Sequence, residues 1–335
     1  MQYGLWRHTS GMSNTRWIFI FALQSFYITS VIGSTGDRSQ FYNLCLAKCR
    51  GINCLANEDF KVQPSLFLRL LFWSCEEDCR YVCTWETVNY FISHGLKVPQ
   101  FHGKWPFIRL FGCQEPASVI FSILNFYAHI TMYWKFKRKL RPTDPMFYVW
   151  TYFSMVCIHG WFWSSVFHAR DIPFTEVMDY SSAFIMVLTL LYCMLLRLTY
   201  TNNKMFAVIT CGYLSTLYTH LSHLWSGDIN YDYNMKFNIV IGFLTFILTM
   251  LWWHRNHKKL PYIHLIGWFN ILTVLVTLLE IADFAPIFWV FDAHSLWHAS
   301  TAPLTILLYR FMIADCSFLR TYYNKLTLGI ERHIR

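Results

Sequence analysis

The chain has 335 residues, of which 55% are hydrophobic and only 14% are charged. Soluble globular domains carry about 25% charged residues, so this composition excludes an ordinary soluble protein and indicates an integral membrane protein. The formal net charge is +9, but the basic residues fall in short clusters between apolar runs, which is typical of membrane topology signals and not of a nucleic-acid-binding surface.

Residues 1–33 have the layout of a secretory signal peptide. Arg7 and Arg16 precede an apolar run, WIFIFALQSFYITSVIG, which is followed by small and polar residues. We predict cleavage near Gly33 or Ser34, with an uncleaved signal anchor as the alternative. Cleavage would leave the following segment in the lumen of the secretory pathway.

Residues 34–113 are polar to mixed and hold seven of the eleven cysteines. These are Cys45, Cys49, Cys54, Cys75, Cys79, Cys83 and Cys113. Their spacing would suit zinc in a cytosolic protein, but behind a signal peptide disulfides are the better interpretation. We therefore predict a small disulfide-stapled luminal domain. The odd count leaves at least one cysteine without an intradomain partner, and the sequence does not define the pairing.

Seven apolar segments follow, each close to the roughly 20 residues that a membrane helix needs. They are Ala117–Tyr133, Phe147–Phe167, Tyr180–Leu198, Met205–Trp225, Phe237–Trp253, Ile263–Phe284 and Ser295–Ala314. Lys and Arg concentrate after the first, third, fifth and seventh segments, and Arg170 is the main exception in the other loops. By the positive-inside rule the basic loops and the C-terminus are cytosolic and the N-terminus is luminal.

This pattern predicts an all-α integral membrane protein. A seven-transmembrane helix bundle occupies residues 114–315, behind the cysteine-rich luminal domain. A basic cytosolic tail occupies residues 316–335.

Three segments that are distant in sequence bring chemically active side chains to the luminal side of this bundle. His294 and His298 are four residues apart at the start of the seventh segment, so their imidazoles share one helix face. Ser164 and His168 repeat this spacing at the end of the second segment, and Asp179 opens the third. Either pair alone could hydrogen-bond its neighbours. Because buried membrane histidines are costly unless something binds them, the convergence predicts a metal site.

Three neutral imidazoles with one open position are typical of catalytic zinc, which lowers the pKa of its bound water to about 7. Asp179 could then act as general base, and Ser164 could hydrogen-bond the substrate carbonyl or the developing oxyanion. Structural alternatives exist for both residues. Asp179 could cap the third helix, and Ser164 could bond the carbonyl four residues earlier.

Other polar residues near the predicted site have two interpretations each. Asp292 either orients a histidine or caps the seventh helix. Glu280 and Asp283 either line the cavity or pair with Arg170. The remaining membrane histidines are interpreted as structural, with a supporting role open to the last two: His129, His159, His220 and His223.

The pattern S-x-x-x-H, then Asp, then H-x-x-x-H resembles the CREST superfamily of seven-helix membrane hydrolases, which includes alkaline ceramidases and adiponectin-type receptors. Within it the chain is most similar to the Per1-like family of GPI-remodelling proteins, the post-GPI-attachment factors. The matching stretches are GKWPFIRLFGCQEPAS, WFWSSVFHARD with TEVMDY, NYDYNM and LLEIADFAPIFWVFDAHSLWH. Together with the cysteine-rich domain, the resemblance covers the chain from about Phe41 to Asp315.

This resemblance implies a zinc-dependent phospholipase A2 of the Golgi membrane, or of the endoplasmic reticulum membrane. It would remove the sn-2 acyl chain of the inositol phospholipid of GPI-anchored proteins, which would be its partners together with membrane phospholipid. His168, His294 and His298 would be the zinc ligands, Asp179 would activate water and Ser164 would stabilise the transition state. The alternatives are a seven-helix receptor or non-catalytic GPI-binding factor with a structural zinc, and a ceramidase-like amidase.

Overall fold

The structure, a computed structural model, describes residues 34–227 and 230–334, with side chains described as far as residue 326. The predicted signal peptide, residues 1–33, lies outside the described residues. Within them the fold is all-helical, and ten helices are present. They are α1 (Gln40–Asn53), α2 (Leu66–Leu70), α3 (Cys75–Ser93), α4 (Pro116–Lys139), α5 (Phe147–Ala169), α6 (Pro173–Leu198), α7 (Asn203–Leu224), α8 (Tyr231–Asn256), α9 (His264–Ile281) and α10 (Ala293–Ile334).

The N-terminal region is built on α1 packed against α3. Three disulfides hold it together: Cys45–Cys83, Cys49–Cys79 and Cys54–Cys75. Cys113 is the unpaired member of the seven, as the odd count predicted. A small core of Tyr42, Cys83, Val88 and Phe101 lies beneath the disulfides. The predicted disulfide-rich region is therefore confirmed.

The seven long helices α4–α10 form a ring with one helix outside it. Helix α4 packs against α5 and α10, α6 against α5 and α8, and α9 against α8 and α10. Helix α7 packs mainly on the outside of α6. The ring therefore places the start of α4, the end of α5 and the starts of α6 and α10 next to one another.

The two ends of the ring differ in what they bury. The main hydrophobic core lies where α4 and α6 end and α5 begins, and its largest fully buried members are Trp150, Tyr309, Phe136 and Phe311. Asp144 and Asp315 are buried near this core, and each pairs with an arginine. A larger group of buried polar side chains gathers at the opposite end: Ser118, Ser122, Asn125, Ser164, His168, Ser295 and His298. The core end is thus close-packed, and the opposite end carries two of the predicted histidines and Ser164.

Four of the described helices are long and apolar enough to cross a bilayer. These spans are Pro173–Leu198, Tyr231–Asn256, His264–Ile281 and Ala293–Leu326. Their length and composition support a multi-pass membrane protein. Helices α4, α5 and α7 have 24, 23 and 22 residues but do not reach the same apolar character, so seven spans stay a prediction.

Helix α6 begins earlier than its apolar run indicates. It starts at Pro173 and not at Tyr180, because proline suits the first turn of a helix and Thr175 Oγ1 accepts a hydrogen bond from Ile172 N at 3.0 Å. Asp179 therefore lies in the second turn. The expectation that Asp179 opens this helix is wrong, and so is the alternative that it caps it.

Helix α10 is longer than the predicted seventh segment. It begins at Ala293 and continues to Ile334, twenty residues beyond the predicted end at Ala314. No helix-breaking proline follows Ala314, so the backbone hydrogen bonding continues into the basic tail.

Candidate metal centre

The three histidines meet at one point. His168 is the penultimate residue of α5, and His294 and His298 lie in the first two turns of α10. His294 Nε2 is 3.3 Å from His168 Nε2 and 2.9 Å from His298 Nε2. A tetrahedral zinc ion with Zn–N distances of about 2.0–2.1 Å holds its nitrogens about 3.3–3.4 Å apart. The first separation matches this value and the second is a few tenths of an ångström shorter, so the cluster could hold such an ion.

Two of the imidazoles are held by carboxylates through the opposite ring nitrogen. His168 Nδ1 is 2.6 Å from Glu115 Oε2, and His294 Nδ1 is 2.6 Å from Glu280 Oε2. Because an ionised carboxylate only accepts hydrogen bonds, these partners assign a hydrogen to Nδ1, and a neutral ring then carries its lone pair on Nε2. Lone pairs that converge in this way repel one another unless a cation lies between them. Carboxylate-held histidines are typical of zinc sites, so the donor set fits the metal.

The third imidazole is held by a pair of serines. Ser122 Oγ is 2.8 Å from His298 Nδ1 and 3.0 Å from Ser164 Oγ, and both hydroxyls are buried. Ser164 therefore lies in the site, one turn before His168. It contacts Ser122, and within the described residues it does not bond the carbonyl of Gly160. Ser122 was not identified from the sequence, because nothing in its local pattern shows which helix α4 faces.

Asp179 lies beside the cluster without touching it directly. Its carboxylate interacts electrostatically with His168, His294 and Lys104. No described residue donates a hydrogen bond to it, so its oxygens can accept one from a water or a substrate.

Glu115 is a site residue that the sequence analysis missed. It is buried immediately before Pro116 at the start of α4, and Lys104 Nζ lies 2.8 Å from its Oε1 and 2.7 Å from Asp171 Oδ2. Burial by itself would raise the pKa of Glu115, but Lys104 and His168 hold that pKa well below its usual range. Glu115 is therefore ionised. The available signal was a carboxylate directly before a helix-starting proline.

Comparison with known proteins identifies the family. The model of the Per1-like family matches residues 65–316, which include all the site residues described above. The chain belongs to the Per1-like family. No solved structure matches it.

This Per1-like chain is similar to curated proteins over most of its length. It is 40% identical over 305 residues to the Drosophila melanogaster protein named "Post-GPI attachment to proteins factor 3", covering 89% of this chain and 92% of the relative. It is 37% identical to the Mus musculus protein named "GPI-specific phospholipase A2-like PGAP3" and 36% identical to the Homo sapiens protein of the same name. Each of these two alignments spans 290 residues, 86% of this chain and 91% of the relative.

Two predicted alternatives around the Per1-like site are resolved by contacts of Glu280 and Asp292. Glu280 holds His294, whereas Arg170 Nη2 pairs with Glu77 at 2.6 Å. Of the two interpretations of Glu280, the pairing with Arg170 is therefore wrong. Asp292 Oδ1 accepts a hydrogen bond from Ser295 N at 2.8 Å. Asp292 therefore caps α10 and does not orient a histidine.

Asp283 and the other histidines contact residues outside the cluster. Asp283 Oδ1 accepts a hydrogen bond from Trp105 Nε1 at 2.5 Å, so it too does not pair with Arg170. His129 Nε2 is 3.2 Å from Thr305 Oγ1, and His220 Nε2 is 3.1 Å from Asn234 Oδ1. In the part of the chain that the structure describes, the one other group of metal-type ligands is Cys54, Cys75 and Cys79, and these cysteines are already in disulfides.

Proposed function

We propose that this chain is a zinc-dependent phospholipase A2 that removes the sn-2 acyl chain from the inositol phospholipid of GPI-anchored proteins. The observation that carries the proposal is the convergence of three Nε2 atoms next to a carboxylate that no described residue hydrogen-bonds. The names of the relatives, which include "GPI-specific phospholipase A2-like PGAP3", support the class of substrate.

His168, His294 and His298 would hold the zinc ion, which when bound acidifies a water molecule and polarises a carbonyl. Glu115 and Glu280 keep the first two rings in the tautomer that presents Nε2 to the metal. A structural zinc would need neither Ser164 nor Asp179 nearby, and their presence favours catalysis.

Asp179 and Ser164 divide the proton transfer and the charge stabilisation between them. Asp179 takes a proton from the attacking water and returns it to the glycerol oxygen as that oxygen leaves, which is general base and then general acid catalysis. Ser164 Oγ donates a hydrogen bond to the ester carbonyl oxygen as negative charge develops on it. Ser122, 3.0 Å away, positions that hydroxyl.

The proposal includes a membrane arrangement. Helices α4–α10 all cross the bilayer, residues 34–113 are luminal after a signal peptide of 33 residues, and residues 316–335 are cytosolic. The ends of α4, α5, α6 and α10 that carry the site then share the luminal boundary, level with the ester bonds of the luminal leaflet. The membrane is that of the Golgi or of the endoplasmic reticulum.

The test combines metal content with lipid release. Purified wild-type protein and Asp179→Asn should each contain about one zinc per chain by mass spectrometry, and only the wild type should release fatty acid and lyso-GPI. Asp232→Asn, which removes an exposed carboxylate at the start of α8, is the matched control and should retain both properties.

The remaining outcomes distinguish the alternatives. A wild-type protein without metal, or full release by Asp179→Asn, would contradict the proposal. Zinc without any release would support a receptor or a GPI-binding factor, and release of fatty acid from ceramide alone would support an amidase.

A further inference from the structure

A cavity lies outside the helix ring, between the cysteine-rich region and the loops next to the site. Its volume is about 230 Å³. Six aromatic side chains line it: Trp73, Tyr81, Trp85, Phe101, Trp105 and Phe107. An aromatic cavity in the part of the chain outside the membrane helices is a default candidate for a ligand site.

The cavity adjoins the metal centre through the backbone. Gln114 and Arg170 line it, and each is within two residues of Glu115 or His168. Gln114 N donates to Ala169 O at 3.0 Å, and Glu115 N donates to His168 O at 3.0 Å, which ties the two segments together. One substrate could therefore reach both the cavity and the histidines.

Two donors on the cavity wall have no partner. Trp85 Nε1 and Arg109 Nε are buried and make no hydrogen bond within the described residues. The Arg109 side chain is only 9% exposed and already uses Nη1 on Asp78 at 3.0 Å. Native proteins rarely leave buried donors unpaired. Both atoms are covered in this structure, and the Arg109 guanidinium lies over the rings of Trp73 and Tyr81, so a ligand that shifts these aromatic side chains would supply the missing acceptors.

The charges around the cavity are already neutralised. Arg170 pairs with Glu77 at 2.6 Å, and Lys104 pairs with Asp171 at 2.7 Å. Arg80 and Arg109 pair with acidic residues in the same way. No cation lining the cavity in the described structure lacks an acidic partner, which disfavours a phosphate group as the occupant and favours an uncharged molecule with oxygen acceptors.

We propose that this cavity binds one sugar ring of the glycan carried by the lipid substrate, an inference that rests on the proposed function. The apolar face of the ring packs on the aromatic wall, and its hydroxyl oxygens accept hydrogen bonds from Trp85 Nε1 and Arg109 Nε. The volume is below the roughly 300–1,000 Å³ of pockets that hold drug-sized ligands, which suits a single ring. Glycan recognition by this cavity would select GPI lipids from other phospholipids.

The test uses full-length protein in detergent and a soluble probe, the trimannose–glucosamine–inositol glycan without its diacylglycerol. Trp85→Phe keeps a ring against Trp289, which Trp85 contacts at 5.6 Å between centroids, and removes only the indole N–H. We expect calorimetry to show affinity for the glycan about tenfold weaker in Trp85→Phe, the loss of one ligand hydrogen bond. We expect a larger loss in Phe107→Ala.

Two further variants of the chain serve as controls. Phe41→Ala removes an aromatic ring of the same region that stacks on Tyr90 outside the cavity, and it should bind the glycan like the wild type. Asp179→Asn should also bind normally, because glycan affinity does not need hydrolysis.

The outcomes separate this proposal from the proposed function. Glycan binding that depends on Trp85, in a protein that releases no lyso-GPI, would support the cavity and contradict the phospholipase. Equal affinity in wild type, Trp85→Phe and Phe107→Ala would overturn the sugar site even if lipid release is intact. Displacement of the glycan by millimolar inorganic phosphate would also overturn it, since the ligand group would then be an anion.

Discussion

At the scale of single residues, Glu115 and Glu280 act through the histidines that they hold. We expect Glu115→Gln and Glu280→Gln each to weaken zinc affinity about 10- to 100-fold, because an amide no longer favours the Nδ1–H tautomer that frees Nε2. Chelator competition on purified protein measures this loss.

The matched control for these variants is Glu86→Gln, on the exposed side of α3, which should bind zinc with wild-type affinity. Unchanged affinity in both site variants would show that the carboxylates have no role in the metal centre.

The sequence identified some of these residues and missed others for a physical reason. Spacing of four residues puts His294 and His298 on one helix face in any helix, so local pattern is enough to single them out. Glu115 and Ser122 matter only because α4 packs against α10 and α5. Nothing within a few positions of either residue encodes that packing.

At the scale of elements, the N-cap of α10 affects both stability and the site, because the first turn of this helix carries His294. We expect Asp292→Ala to lower the free energy of unfolding by about 0.5–2 kcal/mol, the usual cost of a lost N-cap. It should also weaken zinc binding, because the turn that frays carries the proposed ligand His294. Thermal unfolding and chelator competition report the two effects separately.

Asn202→Ala removes an equivalent cap from α7, where Asn202 Oδ1 accepts a hydrogen bond from Met205 N at 3.1 Å. It should cost similar stability and leave zinc affinity intact. A matching loss of zinc affinity in both variants would mean that general destabilisation, not the α10 cap, is responsible.

Helix existence was easier to predict than helix ends. Long apolar runs located all of α4–α10, since burial in a bilayer or a core needs them. The start of α6 was missed because its first two turns, PFTEVMD, are polar enough to resemble a loop. The helix starts there because Pro173 suits its first position, and because the Thr175 hydroxyl accepts a hydrogen bond from the backbone N–H of Ile172.

At the scale of the whole molecule, the pair of Glu77 and Arg170 joins the cysteine-rich region to the end of α5. Burial by itself would raise the pKa of Glu77, but hydrogen bonds from Arg170 and Ser74 lower it below its ordinary value. A lowered folded-state pKa favours the charged form on folding. The stabilisation is therefore complete above the unfolded pKa of about 4.3 and is lost as pH falls through the folded value.

We accordingly expect Glu77→Gln to lower the melting temperature near neutral pH, and the difference from wild type to shrink below about pH 4. Thermal unfolding in detergent across this range measures it. Arg170→Gln removes the same pair from the other side and should show the same convergence at acid pH. A difference that stays constant with pH would contradict an ionic contribution.

The contacts between the cysteine-rich region and the helix bundle could not be predicted from the sequence pattern. Glu77 is 93 residues from Arg170, and Trp105 is 178 residues from Asp283. Charged residues at such separations have many alternative partners, and only the assembled ring selects among them. For this reason Arg170 appeared in the sequence as an exception to the positive-inside rule. In the structure its ion pair with Glu77 links the cysteine-rich region to the end of α5.

The length of α10 has a mechanical consequence. Its 42 residues extend about 63 Å at 1.5 Å per residue, roughly twice the 30 Å of a bilayer's hydrocarbon core. With the orientation proposed above, about half of this helix overhangs the cytosolic surface, while its opposite end carries His294 and His298. In that orientation a force on the overhang would pass along the helix, across Pro303 within it, to the end that holds two of the three imidazoles, so a cytosolic partner would be mechanically connected to a luminal site.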